Sequence, residues 1–302
     1  MPLIGEIKMK KIKLIYNSGA GQSKFKYFLD IIIEKFMENN CDVSVFRIDK
    51  NTNLYEYLKD SEKEGVYGIV VAGGDGTINR VVNVMLKNNI NIPLGVIPAG
   101  TSNDFARHIK MPSNFSECIE KILAGNIQQV DVGKANDKYF VNICSAGLFT
   151  NAPQQTDAKL KNIIGKFSYF ITGAKQVFTF KPFKVRIETS NQSIIEDINL
   201  FLIFNGNSAG GIDFTENKSS IQDGLLDIVI IKKCKLSEAS AIARKIISGT
   251  HLEDKNVIYL KDSNIKIYRV KGKCDNPDVD GESGLKFPLE VTCEKKALKM
   301  FL

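Results

Sequence analysis

Apolar runs and amphipathic segments alternate between residues 13 and 125 of the chain. The apolar runs predict short strands, and apolar residues at spacings of three and four predict helices. The predicted strands cover 13–16, 43–48, 68–72 and 94–97, and the predicted helices cover 24–39, 54–63, 78–86 and 115–125. Strands that alternate with helices indicate a parallel sheet, which binds ligands at the carboxyl ends of its strands.

The pattern changes after Asn126, where two predicted strands are joined by a turn at 135–138. Short strand-like segments separated by turn residues follow, and they predict a mostly antiparallel β-sandwich. These segments cover 183–189, 200–205, 226–231, 257–261, 264–268 and 285–292, and one helix is predicted at about 237–248. We therefore place a domain boundary near Val130.

Composition narrows the function classes. The chain has 302 residues, 43% of them hydrophobic, which is enough for two hydrophobic cores of ordinary size. Its net charge of +7 is low for a nucleic-acid-binding protein of this length. The six cysteines form no CxxC pair, and two histidines are too few for a His-rich metal site. The first residues include no apolar signal region, and the longest apolar runs are too short to span a bilayer. We expect a reduced, soluble, cytoplasmic protein.

Three glycine-rich turns follow predicted strands of the first domain: NSGAGQ at 17–22, GGDGT at 73–77 and PAGTSND at 98–104. Glycine lets the backbone approach a phosphate closely, and the start of the following helix carries partial positive charge. A single turn of this kind is most often only a turn. Three turns at strand ends of one parallel sheet are predicted to converge on one crevice.

Two common nucleotide motifs are excluded. The first turn lacks the third glycine of the dinucleotide fingerprint, and Thr101 stands where a P-loop at 95–102 would need its lysine. Asp75 inside a phosphate-binding turn would repel a nucleotide unless a divalent cation lies between them. Its presence therefore favours Mg²⁺-nucleotide chemistry.

These motifs together resemble a known family. GGDGTINRVVN at 73–83, followed by LGVIPAGTSNDFAR at 94–107, resembles the diacylglycerol kinase catalytic domain, and specifically the bacterial soluble lipid kinases related to sphingosine and ceramide kinases. The similarity extends over nearly the whole chain, through YFVN at 139–142, GK at 165–166, NG at 205–206, QDGLLD at 222–227 and DGE at 280–282.

The resemblance implies a fold of class α/β plus all-β. An N-terminal phosphofructokinase-like (NAD kinase-like) α/β domain would cover 1–130, with a C-terminal return at 291–302. A C-terminal antiparallel β-sandwich domain at 131–290 would hold the lipid substrate and a metal, with the nucleotide cleft between the domains.

The resemblance also implies roles for individual residues. ATP would contact a set of turn residues, namely Asn17, Ser18, Gly19, Ala20, Gly21, Gly73, Gly74, Asp75, Gly76, Thr77, Asn79, Thr101 and Asn103. Asp75 would serve the catalytic Mg²⁺, supported through water by Asp104. Glu282 would be the general base that takes the proton of the lipid hydroxyl. A second, structural Mg²⁺ would bind the Asp223 carboxylate and the backbone carbonyls of Ser220 and Leu225.

Taken without the resemblance, these acidic residues have simpler interpretations. The DVDGESG stretch around Glu282 is typical of a charged hairpin turn, and Asp223 and Asp227 suit a turn with a solvated face. The first turn also departs from the family pattern, because Ser18 replaces a proline and Gln22 stands where a lysine is usual. Lys24 and Lys26 lie just beyond and could substitute for that lysine.

A basic and aromatic segment between 150 and 186 is the candidate membrane contact. It carries Lys159, Lys161, Lys166, Lys175, Lys181, Lys184 and Arg186 among several phenylalanines and one tyrosine. Such a segment suits an anionic leaflet, a single-stranded nucleic acid or merely a solvated face. With the kinase motifs present, we favour peripheral contact with an anionic membrane surface and expect no nucleic-acid partner.

The sequence therefore predicts an ATP-dependent lipid kinase that phosphorylates a hydroxyl of a membrane lipid, with diacylglycerol as the first candidate. The alternatives are phosphatidylglycerol or a sphingoid base as acceptor, NAD kinase activity, which the NDFAR segment disfavours, and a non-catalytic nucleotide-binding protein. Related bacterial enzymes suggest a homodimer.

Overall fold

The computed structural model describes residues 9–17, 27–49, 51–147, 182–216, 218–274 and 276–302. The chain divides into two units. One comprises Met1–Val130 together with Ala297–Leu302, and the other comprises Asp131–Lys296. The return to the first unit thus begins at Ala297, later than the 291 expected from the sequence.

The first unit is built on a parallel sheet, as predicted. Its strands are β1 (Lys10–Asn17), β2 (Cys41–Ile48), β3 (Val66–Gly73) and β4 (Leu94–Pro98), in the spatial order β4-β3-β1-β2. All three strand pairs are parallel, so the carboxyl ends of β1, β3 and β4 lie side by side at one edge. The last strand of the chain, β17 (Leu289–Phe301), continues this sheet through a parallel pairing of Met300 with Leu94.

Within the described residues, five helices connect and cover these strands: α1 (Leu29–Glu38), α2 (Leu54–Leu58), α3 (Asp75–Lys87), α4 (Asp104–His108) and α5 (Phe115–Leu123). The apolar stripe predicted on α3 is confirmed, because Ile78, Val81, Val82 and Met85 are fully buried. The short α4 was not predicted.

Helix α2 ends five residues earlier than the sequence pattern indicated. The buried ammonium of Lys13 contacts the backbone carbonyl of Tyr57 at 2.7 Å, an oxygen that a longer helix would use for its own hydrogen bond. The N–H of Ser61 donates instead to Leu58, and the chain turns toward β3. A tertiary contact therefore overrides the local helical pattern.

The second half of the chain is mostly antiparallel. Its strands are β5 (Ile127–Ala135), β6 (Lys138–Phe140), β7 (Ile143–Ala146), β8 (Phe183–Glu188), β9 (Ser193–Phe204), β10 (Ser208–Ala209), β11 (Ile212–Asp213), β12 (Leu226–Lys232), β13 (Val257–Asp262), β14 (Asn264–Lys271), β15 (Asp278–Val279) and β16 (Glu282–Ser283), ahead of β17. In the described part of this half, helix α6 (Leu236–Ser248) precedes a short 3₁₀ helix at His251–Glu253.

Strand β9 organises this unit, since it pairs with β7, β8 and β12. Its alternating residues enter two cores: Phe201 and Ile203 pack in one, and Leu200, Leu202 and Phe204 in the other. Burial on both faces explains why β9 ends in the continuous apolar run LFLIF.

The prediction of a strand at 285–292 is wrong for residues 285–288. Pairing begins only at Leu289, directly after Pro288, which has no N–H to donate. Among the described residues, no helix is long and apolar enough to cross a bilayer.

Candidate functional site

The last residue of β1 and the turns that follow β3 and β4 meet at the carboxyl edge of the parallel sheet. Asn17, the last residue of β1, donates from Nδ2 to the buried Thr77 Oγ1 at 3.3 Å. The N–H of Ala99, just after β4, donates to the carbonyl of Gly73 at 3.0 Å. Asn17 and the GGDGT and PAGT turns are therefore in contact, whereas Ser18, Gly19, Ala20 and Gly21 lie outside the described residues.

Two glycines bring the GGDGT and PAGT turns together. A Cβ on Gly100 would lie 2.4 Å from the Gly74 Cα, and a Cβ on Gly74 would lie 3.1 Å from the Gly100 Cα. Any side chain at either position would push the two backbones apart. Asn103, in the left-handed conformation (φ 51°), closes the PAGT turn by accepting from the Gly100 N–H at 2.8 Å and donating to the Gly100 carbonyl at 3.1 Å.

The carboxylate of Asp75 is held by the start of α4. Asp75 is the first residue of α3, and its two oxygens accept the backbone N–H groups of Asp104 at 3.2 Å and Phe105 at 3.0 Å. The Asp104 side chain is itself buried and pairs with Arg107 at 3.2 Å. Arg107 was not predicted as a site residue, although its spacing of three from Asp104 indicates a pair on one face of a helix.

The remaining first-unit candidates differ in exposure. Thr77 and Asn79 are buried on α3, and Asn79 accepts from Asn83 Nδ2 at 3.0 Å. Thr101 is exposed, and a Cβ added to Gly76 would meet nothing within 4 Å. Gly76 therefore offers open backbone beside Asp75, whereas the buried Thr77 and Asn79 support the turn from within.

In the second unit, Glu282 lies at a hairpin tip, as the simpler interpretation of the sequence also had it. Strands β15 and β16 pair through Val279 and Glu282, and the two residues between them have positive φ angles of 47° at Asp280 and 85° at Gly281. The Glu282 side chain is exposed.

Asp280 anchors this hairpin and was not predicted as a site residue. Its carboxylate accepts three consecutive backbone N–H groups, from Val141 at 2.8 Å, Asn142 at 3.0 Å and Ile143 at 2.9 Å. Hydrogen bonds to a charged group are among the stronger ones in proteins, about 1.5–3 kcal/mol each. The available sequence signal was the pairing of a DGE turn with the YFVN motif.

A buried carboxylate, that of Asp131, ties the QDG turn into the same unit. Asp131 accepts from the N–H groups of Gly224 and Lys296, both at 2.7 Å. Asn205 donates to the carbonyls of Asp131 and Val141, both at 3.1 Å. The segment that holds Asp280 is therefore connected through Asn205 and Asp131 to the turn that carries Asp223.

The residues predicted for a structural metal lie in that turn. Asp223 Oδ1 accepts from the Leu225 N–H at 3.0 Å, and Ser220 Oγ accepts from the Gln222 N–H at 3.2 Å. The ammonium of Lys261 lies 3.4 Å from Asp223 Oδ2. No group of three or more His, Cys, Asp or Glu side chains suited to a metal is present in the part of the chain that the structure describes.

Asp227, two residues beyond Leu225, is buried, and its carboxylate has two polar partners. Its Oδ1 accepts from the Tyr259 hydroxyl and lies 3.2 Å from Lys261 Nζ. Burial of the phenol and the adjacent Asp227 raise the pKa of Tyr259 well above its ordinary value. Asp227 is therefore buried beside Tyr259 and Lys261 and is not part of a solvated face.

The candidate membrane segment is described only at its end. Lys159, Lys161, Lys166, Lys175 and Lys181 lie outside the described residues. Lys184 and Arg186 project from β8 beside carboxylates, with Lys184 at 3.9 Å from Asp197 and Arg186 at 3.1 Å from Glu188. These two cations are thus already partnered within their own sheet.

Family models match both units. A model described as the diacylglycerol kinase catalytic domain matches residues 11–135, and one described as the YegS C-terminal NAD kinase beta sandwich-like domain matches residues 142–302. Both agree with the predicted pairing of an α/β domain with a β-sandwich, and they confirm the predicted fold class.

Individual relatives extend this likeness over nearly the whole chain. The chain is 32% identical over 283 residues to a diacylglycerol kinase of Bacillus subtilis, and the alignment covers 93% of each of the two chains. It is 31% identical over 292 residues to a diacylglycerol kinase of Staphylococcus carnosus, covering 97% of this chain and 95% of the other. The crystal structure of a diacylglycerol kinase from Bacillus anthracis superposes with a TM-score of 0.81 at 28% identity, covering 97% of each chain. The chain therefore belongs to the diacylglycerol kinase catalytic domain family, a family of lipid kinases that use a nucleotide, and is itself a kinase.

Proposed function

We propose that the protein transfers the γ-phosphate of ATP, with Mg²⁺, to the hydroxyl of diacylglycerol and so forms phosphatidic acid. The observation that carries this proposal is the arrangement around Asp75, a carboxylate at the junction of two glycine-rich turns at the carboxyl edge of the sheet. The names of the relatives, each a diacylglycerol kinase at more than 30% identity, support diacylglycerol as the acceptor.

The first unit would bind the nucleotide. Gly76 leaves its backbone open, and the close contact of Gly74 with Gly100 brings a second turn to the same edge. A glycine-lined backbone at the start of α3 suits phosphate oxygens, because glycine allows close approach and the start of a helix carries partial positive charge. Asn17 donates to Thr77 of the GGDGT turn, and Asn103 closes the PAGT turn.

The residues at this edge fit a magnesium ion by their chemistry. Asp75 offers carboxylate oxygens, the ligand type that Mg²⁺ prefers, and backbone N–H groups of Asp104 and Phe105 orient them. Mg²⁺ would supply positive charge between the phosphates and Asp75. The two N–H groups fix the carboxylate in one orientation, so Asp75 needs little rearrangement when the nucleotide binds.

The second unit would supply the general base. As the lipid hydroxyl oxygen bonds to the γ-phosphorus and the bond to ADP breaks, Glu282 takes the hydroxyl proton. Glu282 is exposed at the tip of a hairpin, and Asp280 restrains that hairpin through three hydrogen bonds. Ser220, Asp223 and Leu225 offer the predicted structural Mg²⁺ one carboxylate and two backbone carbonyls, all oxygen ligands, and the ammonium of Lys261, 3.4 Å from Asp223 Oδ2, competes for that carboxylate.

The location of the substrate requires contact with a bilayer. We propose that the protein is cytoplasmic and binds the anionic inner surface of the membrane through Lys159, Lys161, Lys166, Lys175 and Lys181 and the aromatic residues between them. Each cation near an anionic leaflet contributes on the order of 1 kcal/mol. A homodimer stays a prediction, which light scattering on the purified protein would test.

The test is a phosphorylation assay with radiolabelled ATP in mixed micelles. The acceptor panel contains diacylglycerol, phosphatidylglycerol and a sphingoid base, with NAD as a soluble acceptor. We expect Mg²⁺-dependent label in phosphatidic acid. Label mainly in phosphatidylglycerol or the sphingoid base would keep the reaction but replace the acceptor, and label in NAD would contradict the lipid assignment. ATP binding without transfer to any acceptor would support the non-catalytic alternative.

A further inference from the structure

Lys261 is placed where it contacts both carboxylates of the QDG turn region. It lies on β13 directly opposite Asp227 on β12. Its ammonium is 3.2 Å from Asp227 Oδ1, 3.4 Å from Asp223 Oδ2 and 2.6 Å from the backbone carbonyl of Lys218. Three oxygen partners match the three donors of an ammonium group.

The Lys218 carbonyl lies at the start of the 218–225 loop, and Asp223 lies near its end. One ammonium therefore bridges the two sides of this loop. A structural cation in the same loop would also hold its two sides together, because it would bind carbonyl and carboxylate oxygens at once. Charge also favours the ammonium, because Asp227 is buried and needs a cation nearby.

A divalent ion bound to Asp223 would have to compete with this ammonium. Mg²⁺ lies about 2.0–2.1 Å from its oxygen ligands and gives up its water reluctantly. Bound to Asp223 Oδ2, it would lie within a few ångströms of Lys261 Nζ, and like charges at that separation repel. Lys261 is held in place by Asp227 on the paired strand, which opposes its displacement.

We propose that Lys261 is a built-in substitute for the structural divalent cation of the 218–225 loop. The ammonium holds the loop in shape when no metal is bound, and it lowers the affinity of Asp223 for Mg²⁺. This proposal concerns the fold of the second unit and does not depend on the substrate or on catalysis.

The test measures Mg²⁺ binding through thermal stability, in the absence of nucleotide. Lys261→Met alone would leave Asp227 as an unpaired buried charge, so the comparison uses an Asp227→Asn background, in which the Tyr259 hydrogen bond is retained. The decisive variant is Asp227→Asn/Lys261→Met. Its matched controls are Asp227→Asn and Lys266→Met, because Lys266 forms an exposed ion pair with Glu290 away from this loop.

We expect the wild type and both controls to change Tm by less than about 1 °C between EDTA and millimolar Mg²⁺. The double variant should gain about 3 °C or more with Mg²⁺, and further substitution Asp223→Asn should remove that gain. Equal gains in the wild type and the double variant would overturn the proposal. Absence of any gain in the double variant would overturn it as well.

If the double variant does not fold, Lys261→Gln replaces it, because the glutamine amide, unlike a methionine, can still donate a hydrogen bond to Asp227. Mg²⁺ titration by calorimetry should then show binding to Lys261→Gln at least about tenfold tighter than to the wild type. Equal affinities would refute the substitution of metal by ammonium.

Discussion

Asp75 Oδ1 accepts the backbone N–H of Phe105 at 3.0 Å, so the carboxylate in the turn after β3 is oriented by the helix that follows β4. Two of the motifs that identify the family are thereby joined by a hydrogen bond. The separation of 30 residues along the chain is closed by the parallel pairing of β3 with β4.

Asp75→Asn should lower kcat by about 100-fold or more while the protein stays folded, because the amide carries no charge to attract Mg²⁺. The measurement is steady-state turnover together with Tm. Asp60→Asn, which removes an exposed carboxylate of the same unit paired with Lys63, is the control and should keep wild-type turnover. Unchanged kcat in Asp75→Asn would remove Asp75 from the mechanism.

Glu282→Gln should reduce kcat by about 100-fold and leave the affinity for ATP unchanged, because the proton acceptor is lost but the nucleotide contacts are not. Equilibrium ATP binding and steady-state kinetics separate the two quantities. Glu290→Gln is the control, since Glu290 is an exposed carboxylate of the same unit. Equal losses of kcat and ATP affinity would argue against a general base at this position.

Asp280→Asn should lower kcat by about tenfold with little change in the KM for ATP, because Glu282 is no longer held in one position. Tm should also fall, since an asparagine oxygen cannot replace a carboxylate that accepts three N–H groups. The discriminating measurement is the split between kcat and KM. A fall in Tm with unchanged kcat would assign Asp280 a purely structural role.

The two kinds of glycine at the nucleotide turns should respond differently to alanine. Gly100→Ala places a methyl group 2.4 Å from Gly74 Cα, so both stability and ATP binding should fall, with a stability loss of about 1–3 kcal/mol. Gly76→Ala meets open space within a helix and should raise stability slightly. Its methyl group should nevertheless weaken ATP binding if phosphates approach that backbone. Denaturant melts and ATP titrations measure both, and unaltered stability in Gly100→Ala would contradict the close contact.

His251 predicts a pH dependence of stability. The ring is buried, and burial lowers its pKa below the ordinary value of about 6.5, although the Phe214 carbonyl and the nearby Glu216 act in the opposite direction. The unfolded chain therefore binds a proton more readily than the folded one. Stability should be fully present above about pH 6.5 and should fall as pH decreases below it. His251→Gln should flatten this slope in denaturant melts at several pH values, and an unchanged slope would exclude His251 as its source.

Much of the fold was predictable from the sequence because the two periodicities are clear. The alternating helix and strand patterns of the first unit and the apolar runs of β9 and β12 follow from burial on known faces. The early end of α2 was not predictable, since it depends on Lys13, which arrives from β1. The extent of β17 was also missed, because its pairing partners lie far away in the sequence.

The candidate site divides in the same way. Asp75, Gly74 and Gly100 could be recognised from motifs, and the structure brings them together. Asp280 and Asp131 could not, because their function is to accept N–H groups of segments distant in sequence. Lys261 stands in no motif, and only the pairing of β12 with β13 shows that it faces Asp227.

The pairing of Met300 with Leu94 has a consequence for synthesis of the protein. Phe301, which packs against Gly68 where a Cβ would come within 2.8 Å of its ring, leaves the ribosome after every residue of the second unit. The first unit emerges early but lacks its fifth strand until translation reaches that point. Until β17 has been synthesised, β4 is an edge strand whose backbone N–H and C=O groups on that side lack their native partner, and such edges favour non-native strand pairing.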